Sequence, residues 1–460
     1  MNRRDFLKQI TAVSLSYAAI NISGCSASLS RSSGRKPNVI YILTDDQGTI
    51  DMNCYGAKDL YTPNMDKLAS EGSRFTQFYA ASPICSPSRA AFLSGKTPQA
   101  AGMPGNAPSS KGNAGMPSST VTISEVMKSA GYKTAHIGKW HLGYSEDTMP
   151  NAQGFDYSFG HMGGCIDNYS HFFYWYGPNR HDLHENREEV FLDGEYFPDL
   201  MTEKALEYIN ENSGDPFFLY FAFNLPHYPV QPAPKWRDYY KNLPEQRRDY
   251  AAFVSTIDER IGILIDEIER LGLKNDTIFV LQSDHGHSTE ERCGWGGGSA
   301  GIHRGAKFSL FEGGIKVPAI ISWPGKLPRN QVINQPAFEV DWLPTIADLC
   351  GIRHEIRELD GKSLKGMLKD PHSPNQHEHY VWQIGEQWAV RKGDWKLIGN
   401  AWDTSSKETL DDKIEPIFLV NLSEDPEEKT NLADKKPQKV NELISIYKNW
   451  KYANPEFIRR

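Results

Sequence analysis

The sequence predicts an α/β fold, with a large, mainly parallel central sheet flanked by helices and a smaller C-terminal α+β subdomain that carries an antiparallel sheet. Over most of the chain, short apolar runs rich in β-branched residues alternate with capped helical stretches, a pattern typical of parallel strands joined by helices. After about residue 355, polar residues dominate and the apolar runs become shorter. The 460 residues, 39% of them hydrophobic, suffice to bury a large core beside a small companion unit.

Five apolar runs are expected to be buried strands of the central sheet. They cover residues 39–43, 134–137, 217–223, 277–281 and 317–322. Helix end signals lie between these runs. They predict a helix from Thr62-Pro63 to Gly72, a helix with a Thr122 and Glu125 capping box that ends at Gly131, and a long amphipathic helix over residues 248–271.

The C-terminal quarter has its own pattern. Apolar runs at residues 388–390, 395–398 and 417–422 predict a small antiparallel sheet, and the helical spacing of apolar residues over 440–447 predicts a final helix packed on it. We therefore place a large domain at residues 37–355 and a C-terminal subdomain at residues 356–460.

The N-terminus is typical of an export signal. Arg3-Arg4 precedes a mild apolar run, as in twin-arginine signals, and Gly24-Cys25 is similar to the lipid-attachment box of bacterial lipoproteins. We predict a signal peptide at residues 1–25, a lipid on Cys25 and a tether at residues 26–36. No other run reaches the roughly 18 apolar residues of a membrane span. The expected location is outside the cytoplasm, lipid-anchored to the bacterial cell envelope, at the outer membrane, the cell surface or the periplasm.

Net charge and cysteine content exclude several classes of function. The formal net charge of -8 argues against nucleic acid as a partner, because phosphate neutralisation needs clustered Lys and Arg. Six cysteines without a C-x-x-C spacing indicate neither a zinc knuckle nor a dense disulfide framework. Cys54, Cys165, Cys293 and Cys350 could be free thiols or form one or two disulfides.

Acidic residues follow two of the predicted strands directly. Asp45-Asp46 comes after the first strand and Asp284-His285 after the fourth, so both pairs should meet at the carboxyl edge of the sheet. Paired carboxylates cannot both be ionised and dry without a cation. A divalent metal is the simplest resolution.

A second set of signals surrounds Cys85. Ser86 could cap a helix that Pro87 begins and Gly95 ends, which puts Cys85 just outside a helix N-terminus and Arg89 one turn further in. Such a position favours an anion.

The C-x-P-S-R run at Cys85, followed by an apolar helix and Gly, resembles the signature of the type I sulfatases of the alkaline phosphatase-like superfamily. In that family this Cys is oxidised to formylglycine. The resemblance extends over roughly residues 37–450 and includes further motifs in the family's order, at residues 38–48, 138–143, 226–227, 283–286 and 305–314.

The resemblance implies a role for each matching residue. Asp45, Asp46, Cys85, Asp284 and His285 would bind the metal, and Lys139 would bind sulfate together with Arg89. His141 would lie beside the nucleophile, and His227 with Lys307 would serve the leaving group. Many relatives have Asn at the position of His285. The implied cofactor is one Ca²⁺, with Mg²⁺ or another divalent ion left open, because imidazole suits softer metals than calcium.

The implied function is hydrolysis of sulfate esters. A hydrated aldehyde at Cys85 would attack sulfur with one hydroxyl and expel the sulfate through the other, and a formylglycine-generating or sulfatase-maturing enzyme is the implied partner. The expected substrates are sulfated polysaccharides or oligosaccharides, algal (ulvan, carrageenan or fucoidan) or glycosaminoglycan.

Two regions could shape the substrate site. The loop predicted at residues 101–119 either covers a site or is mobile, and the aromatic stretch at residues 169–176 is either a sugar-binding surface or a hydrophobic plug. We expect substrate contacts from His171, Trp175, His303 and Arg304.

Two other functions remain open at this point. A phosphomonoester or phosphonate hydrolase of the same superfamily shares the metal site but usually has a Ser or Thr nucleophile or a second metal. A non-catalytic glycan-binding lipoprotein would result if Cys85 were never oxidised.

Overall fold

A computed structural model of the protein describes residues 35–353, 356, 358–406 and 414–453. The predicted signal peptide, Cys25 and nearly all of the tether lie outside the described residues. The predicted boundary between residues 355 and 356 falls beside residues that are not described, and it stays a prediction.

The described strands form three sheets and are labelled in chain order. They are β1 Asn38–Thr44, β2 Gly72–Tyr79, β3 Lys133–Lys139, β4 Tyr157–His161, β5 Phe172–Phe173, β6 Arg180–His181, β7 His184–Glu185, β8 Glu188–Glu189, β9 Phe217–Ala222, β10 Thr277–Ser283, β11 Lys316–Ser322, β12 Gln331–Ile333, β13 Ala337–Phe338, β14 Tyr380–Ile384, β15 Gln387–Lys392, β16 Trp395–Trp402 and β17 Ile414–Asn421.

The described α-helices lie mostly between the strands. They are α1 Pro63–Ser70, α2 Cys85–Ser94, α3 Ile123–Ser129, α4 Phe197–Glu211, α5 Pro234–Tyr239, α6 Glu245–Arg270, α7 Glu312–Ile315, α8 Trp342–Leu349, α9 Lys365–Lys369 and α10 Pro437–Ala453.

The central sheet has the strand order β12-β2-β11-β10-β1-β9-β3-β4-β7-β8, with β13 paired to β2. The run from β10 through β1, β9 and β3 to β4 is parallel, which confirms the predicted mainly parallel sheet. The five predicted strands are β1, β3, β9, β10 and β11. The sequence analysis missed β2 and β4, because neither is a continuous apolar run: β2 reads GSRFTQFY and β4 reads YSFGH.

Strand directions decide where the functional residues meet. Strand β11 is antiparallel to both β10 and β2, so β2 points the same way as β10. The carboxyl ends of β1, β2, β3, β9 and β10 and the amino end of β11 therefore share one edge of the sheet. Loops that leave or enter the sheet at that edge can reach a common site.

Helices cover both faces of the sheet and enclose two apolar clusters. One face packs Tyr41, Phe92, Trp140 and Trp342, and the other packs α6 through residues such as Ile257 and Ile261. The predicted helix at residues 248–271 is α6. The predicted capping box begins α3, where Thr122 Oγ1 accepts from the Glu125 amide at 3.3 Å and Glu125 accepts from the Thr122 amide at 2.7 Å.

The C-terminal sheet has the order β14-β15-β16-β17 and is antiparallel throughout, as predicted. Helix α10 packs on it through Leu443, which is buried with Val390, Leu397 and Leu419. Strand β14 was not predicted. Its sequence YVWQI is short and contains only two aliphatic residues, so no apolar run marks it as a strand.

Two further findings concern cysteines and membranes. Cys54, Cys85, Cys165, Cys293 and Cys350 are all free thiols, so the described part of the chain contains no disulfide. Among the described helices, none combines the length and the apolar character needed to cross a bilayer.

Candidate active site

The acidic residues after β1 and β10 come together as their strand positions predict. Asp45 and Asp46 follow Thr44, Asp284 follows Ser283, and the Asp284 amide donates to the Thr44 carbonyl at 3.0 Å. The Asp46 amide in turn donates to Asp284 Oδ1 at 3.1 Å. Asp46 has a φ of 66°, a left-handed conformation that is uncommon outside glycine and is often found at functional sites.

Cys85 faces these carboxylates from the first turn of α2. Its Sγ lies 3.8 Å from Asp45 Oδ1 and 3.4 Å from His285 Nε2, and His285 Nε2 lies 3.4 Å from Asp46 Oδ1. One ligand atom of each of these four residues lies within 4.8 Å of the others. Asp284 Oδ1 is 3.6 Å from His285 Nε2, so the fifth predicted ligand borders the same group.

The helix that carries Cys85 begins differently from the prediction. Cys85 is the first residue of α2 and does not precede it, and Ile84 at the N-cap position supplies no side-chain cap. Ser86, the predicted cap, donates through Oγ to the His141 carbonyl. Asn106, from the loop at residues 101–119, accepts a hydrogen bond from the Ser86 amide at 3.0 Å. A residue outside the helix thus pairs one of the free amide groups of its first turn. The predicted end at Gly95, with φ 65°, is confirmed.

Three buried cations surround the carboxylates. Lys139 Nζ lies 2.6 Å from Asp45 Oδ2, and Lys307 Nζ lies 3.0 Å from both oxygens of Asp46. Arg89 is fully buried, lies 3.1 Å from Asp284 Oδ2, and donates to the Lys139 carbonyl at 3.0 Å. In this arrangement Arg89 and Lys139 hold the acidic residues in place, whereas Lys307 also reaches the cavity described below.

The buried charges shift one another's pKa values. Burial raises the pKa of Asp46 to about 8, although Lys307 and His285 act in the opposite direction. Burial also raises the pKa of Asp45, with Lys139 opposing it. The pKa of the Cys85 thiol lies well below its usual value, because Lys139 and Lys307 outweigh the effect of burial. The site therefore favours an anion at residue 85 and a further cation beside the aspartates.

The donor set fits a divalent cation. Two carboxylates, an imidazole and the group at position 85 surround one point, and a third carboxylate adjoins them. Carboxylate oxygens suit a hard ion such as Ca²⁺ or Mg²⁺, while His285 and a thiolate would suit a softer one.

A cavity of about 300 Å³ lies against Cys85. His141, His227 and Lys307 also line it, as do Asn106 and Ser109 of the loop at residues 101–119. The loop at residues 101–119 therefore forms part of the wall of this cavity. Gly164 backs the His141 ring, because a Cβ atom there would lie 2.8 Å from His141 Cε1.

Three of the four residues expected to contact substrate lie elsewhere. Trp175 lines the cavity. His171 is fully buried with Nε2 on the Glu195 carbonyl, His303 bonds the Pro426 carbonyl, and Arg304 pairs with Asp403. Substrate contact by these three residues stays a prediction, since their side chains bond to other parts of the protein and are not among the described residues that line the cavity.

The structure adds functional residues that the sequence analysis missed. Glu339, fully buried, accepts from Ser88 Oγ at 2.8 Å and from Gln282 Nε2 at 2.7 Å, and thereby braces α2 against β10. Glu290 lies 3.6 Å from Lys307, and Arg292 lines the cavity. Glu339 lies 251 residues from Ser88 in the sequence, so no local pattern could have predicted their contact. The charged run at residues 290–292 stands in an otherwise polar loop and could have been recognised.

The C-terminal sheet holds Lys307 in position. Thr404, just beyond β16, donates to the Lys307 carbonyl at 2.8 Å and accepts from the Ala306 amide at 3.1 Å. Ser309 Oγ donates to the Trp402 carbonyl at 2.7 Å. A residue at the catalytic edge thus depends on a sheet formed about 100 positions later in the chain.

Comparisons with known proteins agree with this geometry. A family model described as Sulfatase matches residues 37–352, and one described as N-sulphoglucosamine sulphohydrolase, C-terminal, matches residues 305–445. Human arylsulfatase A is 32% identical over 438 residues, which cover 86% of this chain and 83% of the relative. An N-acetylgalactosamine-6-O-sulfatase of Bacteroides thetaiotaomicron is 29% identical and covers 94% of this chain and 96% of its own length.

Solved structures show the same fold. The crystal structure of Ps i-CgsB in complex with k-i-k-neocarrahexaose has a TM-score of 0.80 and 28% identity, and covers 91% of this chain and 94% of that one. A structure described under the metabolism of multiple glycosaminoglycans by Bacteroides thetaiotaomicron has a TM-score of 0.75 and 28% identity, and covers 91% of this chain and all of the other.

Proposed function

The chain belongs to the sulfatase family and is a sulfatase, and we propose that it removes sulfate from sulfated polysaccharides or oligosaccharides through a formylglycine made from Cys85 and a bound divalent cation. One observation carries the proposal. Cys85 Sγ lies within 3.8 Å of Asp45 and 3.4 Å of His285 and lines the cavity together with Lys307, His141 and His227.

The metal would be held by Asp45, Asp46, Asp284, His285 and the group at position 85. Calcium is the ion we propose, since three of these residues offer carboxylate oxygens and an oxidised residue 85 would offer oxygen in place of sulfur. When bound, the cation polarises the sulfuryl oxygens.

The charges of the chain suit a sulfate ester. The site contains three carboxylates and three cationic side chains, so a bound divalent ion gives it a net positive charge. The carboxylates are those of Asp45, Asp46 and Asp284, and the cations are Arg89, Lys139 and Lys307. A monoanionic sulfate ester compensates that surplus. This local positive charge would attract the sulfate ester although the chain as a whole has a net negative charge.

Residue 85 would supply the nucleophile. As a hydrated aldehyde it has two hydroxyls on one carbon, one to take up the sulfuryl group and the other to expel it with return of the aldehyde. His141 lines the cavity together with Cys85 and would act as the base toward the second hydroxyl. An unmodified Cys or a Ser would lack the second hydroxyl.

Two residues are placed to serve the leaving oxygen. His227 Nδ1 donates to the Tyr228 carbonyl at 2.8 Å, since a carbonyl can only accept, and this bond fixes the ring with Nε2 at 3.8 Å from Asp46. Lys307 lies beside it with three donor protons. Both line the cavity. Lys307 can donate to the leaving oxygen directly, whereas His227 would donate through Nε2 only in its protonated, imidazolium form.

The substrate class follows from the cavity wall and from the relatives. Trp175 and Tyr176 offer aromatic faces and Arg292 a guanidinium, a combination suited to a sugar with an anionic substituent. The related structure in complex with k-i-k-neocarrahexaose favours an algal galactan, and the N-acetylgalactosamine-6-O-sulfatase favours a glycosaminoglycan.

The test measures sulfate release from a panel of carrageenan, ulvan, fucoidan and glycosaminoglycan oligosaccharides, with NMR to locate the sulfate removed. Protein produced together with a maturing enzyme should act on one class. Activity on aryl sulfate but on no glycan would overturn the sugar assignment, and faster hydrolysis of aryl phosphate than of aryl sulfate would favour a phosphomonoesterase.

Cys85→Ala tests the nucleophile. We expect its sulfate release to fall by more than the ~10²–10³-fold typical of losing one preorganised donor, because the covalent route itself is removed. Cys165→Ala removes another thiol of the same cavity and should stay near wild type. Mass spectrometry of the tryptic peptide at residues 75–89 should show the thiol replaced by an aldehyde. An unmodified peptide in a fully active enzyme would contradict the formylglycine.

Export and lipid anchoring are also part of the proposal. Residues 1–25 contain the paired arginines and Cys25, and they lie outside the described residues. Cys25→Ser should move the protein from the membrane fraction to the soluble fraction of the cell envelope. An unchanged distribution would contradict the anchor.

A further inference from the structure

A second group of potential metal ligands lies in the segment between β4 and α4. His171 precedes β5, His181 ends β6, and Asp193 follows β8. One ligand atom from each of the three lies within 4.8 Å of the other two, and His181 Nε2 is 3.9 Å from Asp193 Oδ1. None of the three belongs to the catalytic group described above.

The two imidazoles are buried without the partners that buried polar groups normally have. His171 is 0% exposed and His181 is 7% exposed. Nδ1 of His171 and both ring nitrogens of His181 have no hydrogen-bond partner. Burying such atoms unpaired is unfavourable, so each needs an explanation.

The surroundings of each ring are those of a metal ligand. His171 Nε2 lies 3.1 Å from the Glu195 carbonyl, so Nε2 carries the proton and Nδ1 has the free lone pair. His181 Nδ1 lies 3.3 Å from Glu189 Oε1, which leaves Nε2 toward Asp193. Metal-bound histidines commonly donate their second ring N–H to a carbonyl or carboxylate, as His171 does to the Glu195 carbonyl.

The backbone holds His171 in an unusual conformation. Its φ is 58°, in the left-handed region. Its amide donates to the Asp167 carbonyl at 3.0 Å, and its own carbonyl accepts from the Asp182 amide at 2.9 Å. These hydrogen bonds hold His171 in a backbone conformation that is unfavourable for a residue other than glycine, which suggests that the orientation of its side chain has a function.

We propose that His171, His181 and Asp193 bind a second divalent cation, of the zinc class. Two imidazoles and one carboxylate match the preference of such ions for nitrogen and mixed donors, and a water molecule would complete four-fold coordination. Metal bonds of ~2.0–2.1 Å at tetrahedral angles separate ligand atoms by about 3.4 Å. Asp193, whose side chain is 56% exposed, can turn to close the difference from 3.9 Å.

The cation would fasten the wall of the substrate cavity. Strand β6 pairs with β5, and Arg180, next to His181, donates to the Ser109 carbonyl and stacks on the Phe173 ring at 4.0 Å. Phe173, Trp175 and Ser109 all line the cavity. The second ion is thus structural and ties this hairpin to the turn after β8, whatever substrate the enzyme uses.

The test uses the full chain after chelation, with excess Ca²⁺ to occupy the catalytic site, followed by Zn²⁺ alone, desalting and elemental analysis. Wild type should retain one equivalent of zinc and show a higher melting temperature with zinc than without. Asp193→Asn and His181→Gln should lose both effects. Glu188→Gln, which changes an exposed carboxylate of β8 outside the cluster, should behave as wild type.

Two further measurements sharpen the result. Glu189→Ala removes the carboxylate beside His181 Nδ1 and should weaken zinc binding by about 10–100-fold. Co²⁺ in place of zinc should give the visible absorption of a tetrahedral site, lost in Asp193→Asn. Equal zinc retention by wild type and Asp193→Asn would overturn the proposal, as would zinc lost from Asp45→Asn but kept by Asp193→Asn.

Discussion

The protein buries two groups of charged side chains, one at the catalytic edge and one where the C-terminal sheet meets the central sheet. In the second group, Lys396 Nζ lies 2.9 Å from Glu312 and 3.0 Å from Glu428. Glu312 also accepts from Tyr79 Oη at 2.6 Å, and Glu428 accepts from the Glu312 amide at 2.6 Å. All of these atoms are bonded within the protein.

The catalytic group is arranged differently. Lys139, Lys307 and Arg89 bond one side of the aspartates, while on the other side Cys85 and His285 lie 3.4–3.8 Å from carboxylate oxygens and a cavity adjoins them. Such spacings are too long for strong hydrogen bonds and leave ligand atoms able to turn toward a common ion. Both groups therefore bury charged side chains. They differ because the group beside the cavity contains ligand atoms without strong hydrogen bonds, whereas the other group contains none in the bonds described above.

The first prediction concerns the junction. Lys396→Met leaves Glu312 and Glu428 buried without their shared cation, and removing one partner of a buried charge group typically costs about 3–5 kcal/mol of unfolding free energy. We expect a clearly lower urea midpoint and melting temperature. The matched control Lys392→Met removes an exposed lysine of the same sheet and should change little. A wild-type midpoint in Lys396→Met would contradict the comparison.

At the catalytic group, the same substitution should affect turnover more than folding. Lys307→Met removes a preorganised cation from the cavity wall, which corresponds to a loss of about 10²–10³-fold in kcat, or roughly 2.7–4 kcal/mol. Steady-state kinetics and thermal unfolding on one preparation separate the two effects. If Lys307→Met lost as much stability as Lys396→Met, the distinction between the groups would fail.

A third substitution tests the link between the groups. Thr404→Val keeps the shape of the side chain but leaves the Ala306 amide and the Lys307 carbonyl without their partner, at a cost of about 1–3 kcal/mol. Because Lys307 follows directly, we expect kcat to fall while the melting temperature drops only modestly. Rescue by Thr404→Ser, which restores the hydroxyl, would support positioning, and equal kcat in both variants would argue against it.

The smallest effect is a pH dependence of stability. Burial raises the pKa of Glu428 to about 7, although Lys396 lowers it. An acid whose folded pKa exceeds its unfolded value near 4.5 makes the native state lose stability as pH rises between the two, because the folded form binds more protons. The stability of wild type relative to Glu428→Gln should therefore fall from about pH 4.5 to about 7. A flat or rising difference would show that Glu428 is ionised throughout.

The sequence predicted those parts of the site that have local signals. Asp45 and Asp284 follow continuous apolar runs, so their strands, and hence their common edge, could be inferred without any partner. The motif around Cys85 identified the nucleophile position from resemblance. The metal ligands and the roles of Lys139, His141 and His227 stay predictions, although the structure brings these residues to one place.

Other features depend on partners far apart in the chain and could not be predicted. Strand β2, GSRFTQFY, has neither a continuous apolar run nor a regular alternation, and it becomes a strand only between β11 and β12. Glu428 and Thr404 belong to a polar stretch, and nothing nearby relates them to Lys396 or Lys307. Ser86 had the right residue type for a cap, but a tertiary contact with His141 replaced that local role.

The enclosure of helix α2 has a consequence for the biogenesis of the enzyme. All ten of its residues are buried, Cys85 is only 1% exposed, and Asn106 closes over the first turn. The active site of a modifying enzyme cannot reach a thiol that is enclosed in this way. If Cys85 is converted to formylglycine as proposed, the conversion would take place on the open polypeptide, and a molecule that folded first would keep its thiol.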